Sequence, residues 1–376
     1  MRNRLFVLFL FAVTIALAAD APDPRAARVE SGLLPAARIA GKPPVAWTIA
    51  ERMKVHKVPG VSVAVIDGNA IAWARGYGVV RVDGDTPVTP ETLFQAASIS
   101  KTIAAAAALT LVDAGKLALD ADVNESLKSW KIPAPSTATA AGEPVTLRRL
   151  LSHTAGLTVH GFEGYAPSEP RPSLLQVLDG EKPANSAPIR IDQRPGTLWR
   201  YSGGGYCVAQ QLMLDVTGEA FPALLRDRVL RPAGMDASSF EQPLPAALSP
   251  RATTGHRSDG KPVAGDAHIY PEMAAAGLWT TPSDLARFIL ALKSSLEGKP
   301  GLLPRPLAEA MITPVLAESG YGLGIGVADA GEKLQLTHTG ANEGFRCSLV
   351  FYPRTGRGAI VMTNSDNGGV LANEIL

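Results

Sequence analysis

The 376-residue chain has only two cysteines, Cys207 and Cys347, and no CxxC pair. Two thiols are too few for a disulfide framework. Both lie in apolar stretches and read as buried free thiols, with a single bridge as the alternative. Metal-site spacing is also missing, because the six histidines are scattered and no two are close enough to form a ligand pair. Neither a metal nor another cofactor is expected. Charge of one sign is lacking too: 36 Lys plus Arg stand against 35 Asp plus Glu. With no long basic run either, nucleic acid is excluded as the expected partner.

Long hydrophobic runs are limited to the start of the chain. Leu5 opens an apolar run behind Arg2 and Arg4, and the run ends in the small-residue triplets Ala16-Leu17-Ala18 and Leu17-Ala18-Ala19 before Asp20. This order of basic, apolar and small residues is that of a cleavable signal peptide over residues 1–19, and the run is short for a membrane span. A secreted or periplasmic protein without stable membrane insertion is expected, with an uncleaved anchor as the alternative. No Cys lies near the cleavage position, which excludes lipid attachment there.

What remains is long enough for one large or two medium domains. Val61 to Ile66 and Ala70 to Gly78 read as a hairpin across Asp67-Gly68-Asn69. Ile103 to Val112 is a helix, apolar around its circumference and therefore buried, that stops at Gly115. From about 120 to 275 the pattern turns to short helical pieces (Leu147 to Ser152, Gly205 to Val216, Phe221 to Val229) between Pro- and Gly-rich loops. Thr281-Pro282-Ser283-Asp284 caps a helix running to about Leu292. Four strands then follow: Tyr321 to Val327, Leu334 to Thr339, Gly344 to Tyr352 and Gly358 to Thr363. The expected fold class is mixed α/β. An antiparallel sheet flanked by helices comes from residues 45–119 and 275–376, and a mostly helical domain, 120–274, is inserted between them.

Ser98 and Lys101 stand i, i+3 at the start of the apolar helix, on one face and within reach of a shared proton. The pattern Ser-x-x-Lys is weak alone, because 22 Ser and 12 Lys give about 0.7 chance matches in a chain of this length. A second match, Ser258 to Lys261, sits in the turn composition His256-Arg257-Ser258-Asp259-Gly260-Lys261-Pro262, so context selects Ser98. The plain alternative makes Ser98 an N-cap and Lys101 a solvated charge. Against it, a cation in the first turn opposes the helix dipole. A serine hydroxyl needs a base, and Lys serves as one only where burial or a neighbouring cation lowers its pKa. Two further groups stand out: Tyr201-Ser202-Gly203 before a helix, and His338-Thr339-Gly340-Ala341 at the end of a strand. Taken alone, Tyr201 would read as packing.

As a set, Ser-x-x-Lys, Tyr-x-Gly where Tyr-x-Asn is usual, and a late His-Thr-Gly resemble the family of class C β-lactamases, serine D-alanyl-D-alanine carboxypeptidases and family VIII-type esterases. Supporting stretches are Leu150-Leu151-Ser152-His153-Thr154-Ala155-Gly156-Leu157, Gly277 to Leu285 and Tyr321-Gly322-Leu323-Gly324. His153-Thr154-Ala155-Gly156 imitates the third motif, but it precedes Tyr201 and reads as a structural turn. The resemblance implies the β-lactamase/transpeptidase-like fold and a serine hydrolase working through an acyl-enzyme. Its substrate would be a small-molecule ester, peptide or β-lactam. Ser98 would attack, Lys101 and Tyr201 would move its proton, and the N–H groups of Ser98 and Ala341 would form the oxyanion hole. His338, Thr339 and Gly340 would line the substrate.

Two departures bear on substrate. Gly203 lacks the amide that commonly holds an acyl-side amide, and His338 stands where class C β-lactamases have Lys. Both point to an esterase or D-amino acid peptidase with weak or no β-lactamase activity. A true β-lactamase and a non-catalytic binder of cell-wall peptide or protein are the alternatives. A helical pattern opens at Val370 and the chain stops at Leu376, so a fragment of a longer family member is a further expectation.

Overall fold

Val61, Val63 and Val65 alternate with Ser62, Ala64 and Ile66, a period of two that suits a strand covered on both faces. Strand β1 (Gly60–Asp67) forms there and pairs antiparallel with β2 (Ala70–Gly78) across a turn in which Gly68 and Asn69 hold φ of 60° and 65°. This is a computed structural model, and it describes residues 23–35, 41, 45–135 and 140–376. The expected signal peptide, residues 1–19, lies outside them. Short strands β3 (Phe94–Gln95) and β4 (Trp279–Thr280) pair with each other in a separate two-stranded sheet. The last part of the chain supplies β5 (Gly326–Ala328), β6 (Gln335–Asn342), β7 (Phe345–Tyr352) and β8 (Arg357–Thr363).

The main sheet runs β2-β1-β8-β7-β6-β5, every pair antiparallel, so β8 closes the two ends of the chain onto one another. The helix Pro282–Leu296 packs on one face of β1 and β8. The helix Gly368–Ile375 covers the other face, with Ile49–His56 behind it. The alternation in β1 explains the split. Ala64 and Ile66 point into the larger core, while Val61 and Val63 point into a smaller one with Val361 and Leu371.

Between residues 120 and 274 the named elements are helical: Val123–Ser126, Leu147–Leu151, Leu174–Asp179, Gly203–Thr217, Phe221–Leu225, which continues as a π turn, and the 3-10 turn Ser249–Arg251, before Met273–Ala276 begins. The helix Ile99–Asp113 packs against this group and against β6. It begins four residues before the apolar run, and its whole length from Ile99 to Leu109 is buried.

One strand is shorter than expected. Of the Tyr321 to Val327 segment only Gly326 and Val327 join the sheet, because the N–H groups of Leu323 and Gly324 go to the carbonyls of Met311 (2.8 Å) and Leu151 (3.0 Å). Hydrogen bonds spent on loops are lost to a ladder.

Candidate active site

Ala97, wholly buried, holds φ of 57°, a left-handed conformation that costs an L-residue about 1–2 kcal/mol. Surrounding packing must hold it there. The bend it makes between β3 and the helix Ile99–Asp113 sets Ser98 at the helix N-terminus. Ser98 occupies the cap position, yet its side chain makes no capping bond. Instead Lys101 Nζ donates to Ser98 Oγ at 3.0 Å and to the Ala275 carbonyl at 2.8 Å. Lys101 is 2% exposed, so the picture of a solvated surface cation fails. Both Cys207 and Cys347 are free and buried; burial raises both thiols, Cys347 to about 12, which leaves neither as a rival nucleophile.

Tyr201 joins this pair from the segment before the helix Gly203–Thr217. Lys101 Nζ lies 5.0 Å from the Tyr201 ring centroid and 5.8 Å from that of Tyr206. Ser202 caps the helix, accepting from the Gly205 N–H at 3.0 Å. Gly203 and Gly204 donate to the carbonyls of His160 (2.9 Å) and Val159 (3.0 Å), so the 158–162 loop lies directly on the helix start. A Cβ on Gly203 would meet His160 O at 3.0 Å and the Phe162 ring at 3.0 Å. A side chain here would start tightly between a carbonyl and an aromatic ring.

The third motif comes from β6. Its pairing with β5 stops at Thr337, while β7 continues alongside as far as Asn342, so one edge of His338 to Asn342 is open. Asn342 and Phe345 close a two-residue turn and face each other. Alternation then directs the Ala341 N–H away from β7, toward the open edge. Gly340 has no space for a side chain, because the Ala96 carbonyl and the Cys347 sulfur stand where a Cβ would be. That close approach brings β6 against the residues just before Ser98. Asn342 Nδ2 fixes the same junction, donating to Gln95 Oε1 (2.8 Å) and the Ala276 carbonyl (3.1 Å).

His338 is buried, and its Nδ1 lies 2.7 Å from the Thr339 carbonyl. A carbonyl only accepts, so Nδ1 carries the proton and Nε2 accepts from the Tyr321 hydroxyl at 2.9 Å. Burial first, and then the Lys101 charge, lower the imidazole to about 4. It is neutral at pH 7. The Tyr321 hydroxyl is pushed well up by its own burial and acts as a donor.

Ser98, Lys101, Tyr201, His338, Thr339 and Ala341 converge on one cavity of about 590 Å³, with Gly340 behind its wall. The cavity is also lined by His160, Phe162, Trp199 and Tyr321, none of them singled out as site residues from sequence. Three of these are loop aromatics with no spacing to mark them; Tyr321 had a signal in its Tyr-Gly-Leu-Gly stretch. Lys101 is the one Lys or Arg lining the cavity among the described residues, and no Asp or Glu lines it.

Comparison with known proteins bears on the family and the fold. Unguisins hydrolase ungD′ of Aspergillus campestris is 31% identical over 188 residues, 48% of this chain and 33% of that protein. Esterase EstB of Burkholderia gladioli is 26% identical over 298 residues, covering 69% of this chain and 71% of that protein. The octameric penicillin-binding protein homologue from Pyrococcus abyssi superposes with a TM-score of 0.71 at 24% identity, over 86% of this chain and 74% of that one, which shows the fold. The chain spans 33% to 60% of the length of the first curated relatives it matches. The family profile described as Beta-lactamase matches residues 45–375, and the chain belongs to that family.

Proposed function

We propose that this protein is a serine hydrolase that forms an acyl-enzyme on Ser98 and works best on small uncharged esters, with weak or no turnover of β-lactams. Ser98 Oγ attacks the ester carbonyl carbon while its proton passes to the Lys101 and Tyr201 unit. The carbonyl oxygen gains its negative charge beside the N–H groups of Ser98 and Ala341, at a helix N-terminus and an open strand edge. The ester C–O bond then breaks, and the leaving alkoxide takes the proton back. Water repeats the sequence on the acyl-enzyme and frees the acid.

The observation that carries the substrate preference is the crowding at Gly203. The Phe162 ring and the His160 carbonyl crowd Gly203, which itself offers no side-chain amide to a substrate with an acyl-side amide. Such a substrate loses an oriented hydrogen bond, worth about 1 kcal/mol. An ester with a short acyl chain loses nothing there. A substrate carboxylate fares poorly too, since His338 is neutral and Lys101 is already engaged by Ser98 and Ala275. The name of the Burkholderia relative, an esterase, points the same way. The order of residues 1–19 supports export of the mature enzyme to the periplasm or beyond.

The test is kcat/KM for p-nitrophenyl butyrate beside a chromogenic cephalosporin. The ester is expected to be preferred by about tenfold or more, equivalent to about 1.4 kcal/mol. A tenfold preference for the cephalosporin would overturn the substrate assignment.

A further inference from the structure

His153 sits at a turn, as its motif suggests, with φ of 60° and 2% exposure, but its contacts exceed what a turn needs. Its carbonyl accepts from the Arg200 N–H at 2.9 Å and its Nδ1 accepts from the Ser202 N–H at 3.1 Å. Those two donors flank Tyr201. The imidazole lies on the Tyr201 ring, centroids 4.1 Å apart and planes tilted 35°. Tyr321 (4.9 Å), Tyr206 (5.3 Å) and the edge of Trp199 (6.2 Å) complete the enclosure.

Because Nδ1 accepts, the ring proton is on Nε2, and Nε2 is buried without a hydrogen-bond partner among the described residues. A buried donor left unpaired costs about 1–3 kcal/mol. An aromatic hydrocarbon would fill the same space without that cost. What only a side-chain acceptor at this point supplies is the bond to Ser202, and Ser202 in turn caps the helix behind Tyr201. The ring is kept neutral by burial and by the charge on Lys101, so it adds no second cation beside the Ser98 and Lys101 pair.

We infer that His153 is a positioning residue for Tyr201: it grips the backbone on both sides of the tyrosine and stacks on its ring, fixing the phenol against Lys101 and Ser98. This rests on the reading of Tyr201 as part of the proton-transfer unit.

Two variants separate the grip from the stack. His153→Phe keeps a ring on Tyr201 but strands the Ser202 N–H. His153→Asn keeps an acceptor near Nδ1 and tolerates φ of 60°, but removes the ring. Each is made alone and with Tyr201→Phe, and kcat and KM for p-nitrophenyl butyrate are measured beside thermal melting. His153→Phe is expected to lower kcat about tenfold or more and His153→Asn about threefold, with KM within about twofold in both. In the Tyr201→Phe background each change should move kcat by less than about twofold. Effects that multiply independently of Tyr201, or an unchanged kcat in a folded His153→Phe protein, would overturn the assignment. If His153→Phe does not melt cooperatively, the His153→Asn cycle alone decides by the same criterion. A fluorophosphonate adduct on Ser98 of the parent, scored by mass, distinguishes the two failures. Its absence removes the hydrolase reading, whereas its presence with an additive cycle removes only the role of His153.

Discussion

Burial disfavours the charged form of three side chains, His153, His338 and Glu272, and the shifts act on stability in opposite directions. Glu272 is fully buried, and neither carboxylate oxygen reaches a hydrogen-bond partner at proper geometry among the described residues. Desolvation raises it to about 7, with its own backbone N–H and the Tyr165 hydroxyl pulling weakly the other way. It precedes the short helix Met273–Ala276, whose last two carbonyls receive Lys101 and Asn342. Since the folded carboxyl binds its proton more tightly than the unfolded one, its stabilising contribution is complete below the unfolded value near 4.5. That contribution is lost as pH rises through about 7. The difference corresponds to roughly 3 kcal/mol. For the histidines the sign reverses: stability is present above the unfolded value near 6.5 and is lost as pH falls, through about 4 for His338. Glu272→Gln mimics the protonated acid at every pH. In urea unfolding its stability gain over the parent should be larger at pH 8 than at pH 5 by about 2 kcal/mol. An equal difference at the two pH values would show that Glu272 finds a partner when it ionises.

Strand β6 does its work through a glycine. Gly340 is legible in sequence as part of His-Thr-Gly, but the reason for it is not, because the Ala96 carbonyl that excludes a side chain arrives from a distant part of the chain. Gly340→Ala must push β6 away from the residues before Ser98, at a cost of about 1–3 kcal/mol. That shift also withdraws the Ala341 N–H from the attacked carbonyl. Melting temperature and ester kcat should fall together, kcat by about tenfold or more. A variant with parental kcat would mean that the oxyanion site does not depend on this approach. The other elements show the same division between local and tertiary information. The β1–β2 hairpin and the Pro282–Leu296 helix can be read from alternation, turn residues and caps. The segment from Tyr321 to Ile325 reads as a strand yet is a loop, because its N–H groups are taken by Met311 and Leu151.

Across the whole molecule, the site is assembled where the open edge of β6, the start of the helix Ile99–Asp113 and the Tyr201 segment meet. Ser98 and Lys101 are legible because one helical turn brings them together whatever the rest of the fold does. Tyr201 and His338 are legible only as members of a set with the family's order. Phe162, Trp199 and His160 are not legible at all, since loop aromatics acquire a place in the cavity only in the tertiary fold: Phe162 and His160 when the 158–162 loop lies down on Gly203 and Gly204, and Trp199 from the segment before Tyr201. His153 reads as a turn residue, which it is, and its stacking on Tyr201 is added by the tertiary fold.

The central claim is that Ser98 is the acylated nucleophile. Its most direct test is intact-mass measurement and peptide mapping after treatment with a fluorophosphonate, on the parent and on Ser98→Ala, with ester turnover followed in parallel. The parent should carry one adduct, on Ser98, and Ser98→Ala should carry none and lose turnover. Melting of the variant should stay close to the parent's, because the hydroxyl makes no cap and its removal costs at most about 1 kcal/mol. An adduct on another residue, or a Ser98→Ala protein that still hydrolyses the ester at the parental rate, would contradict the account.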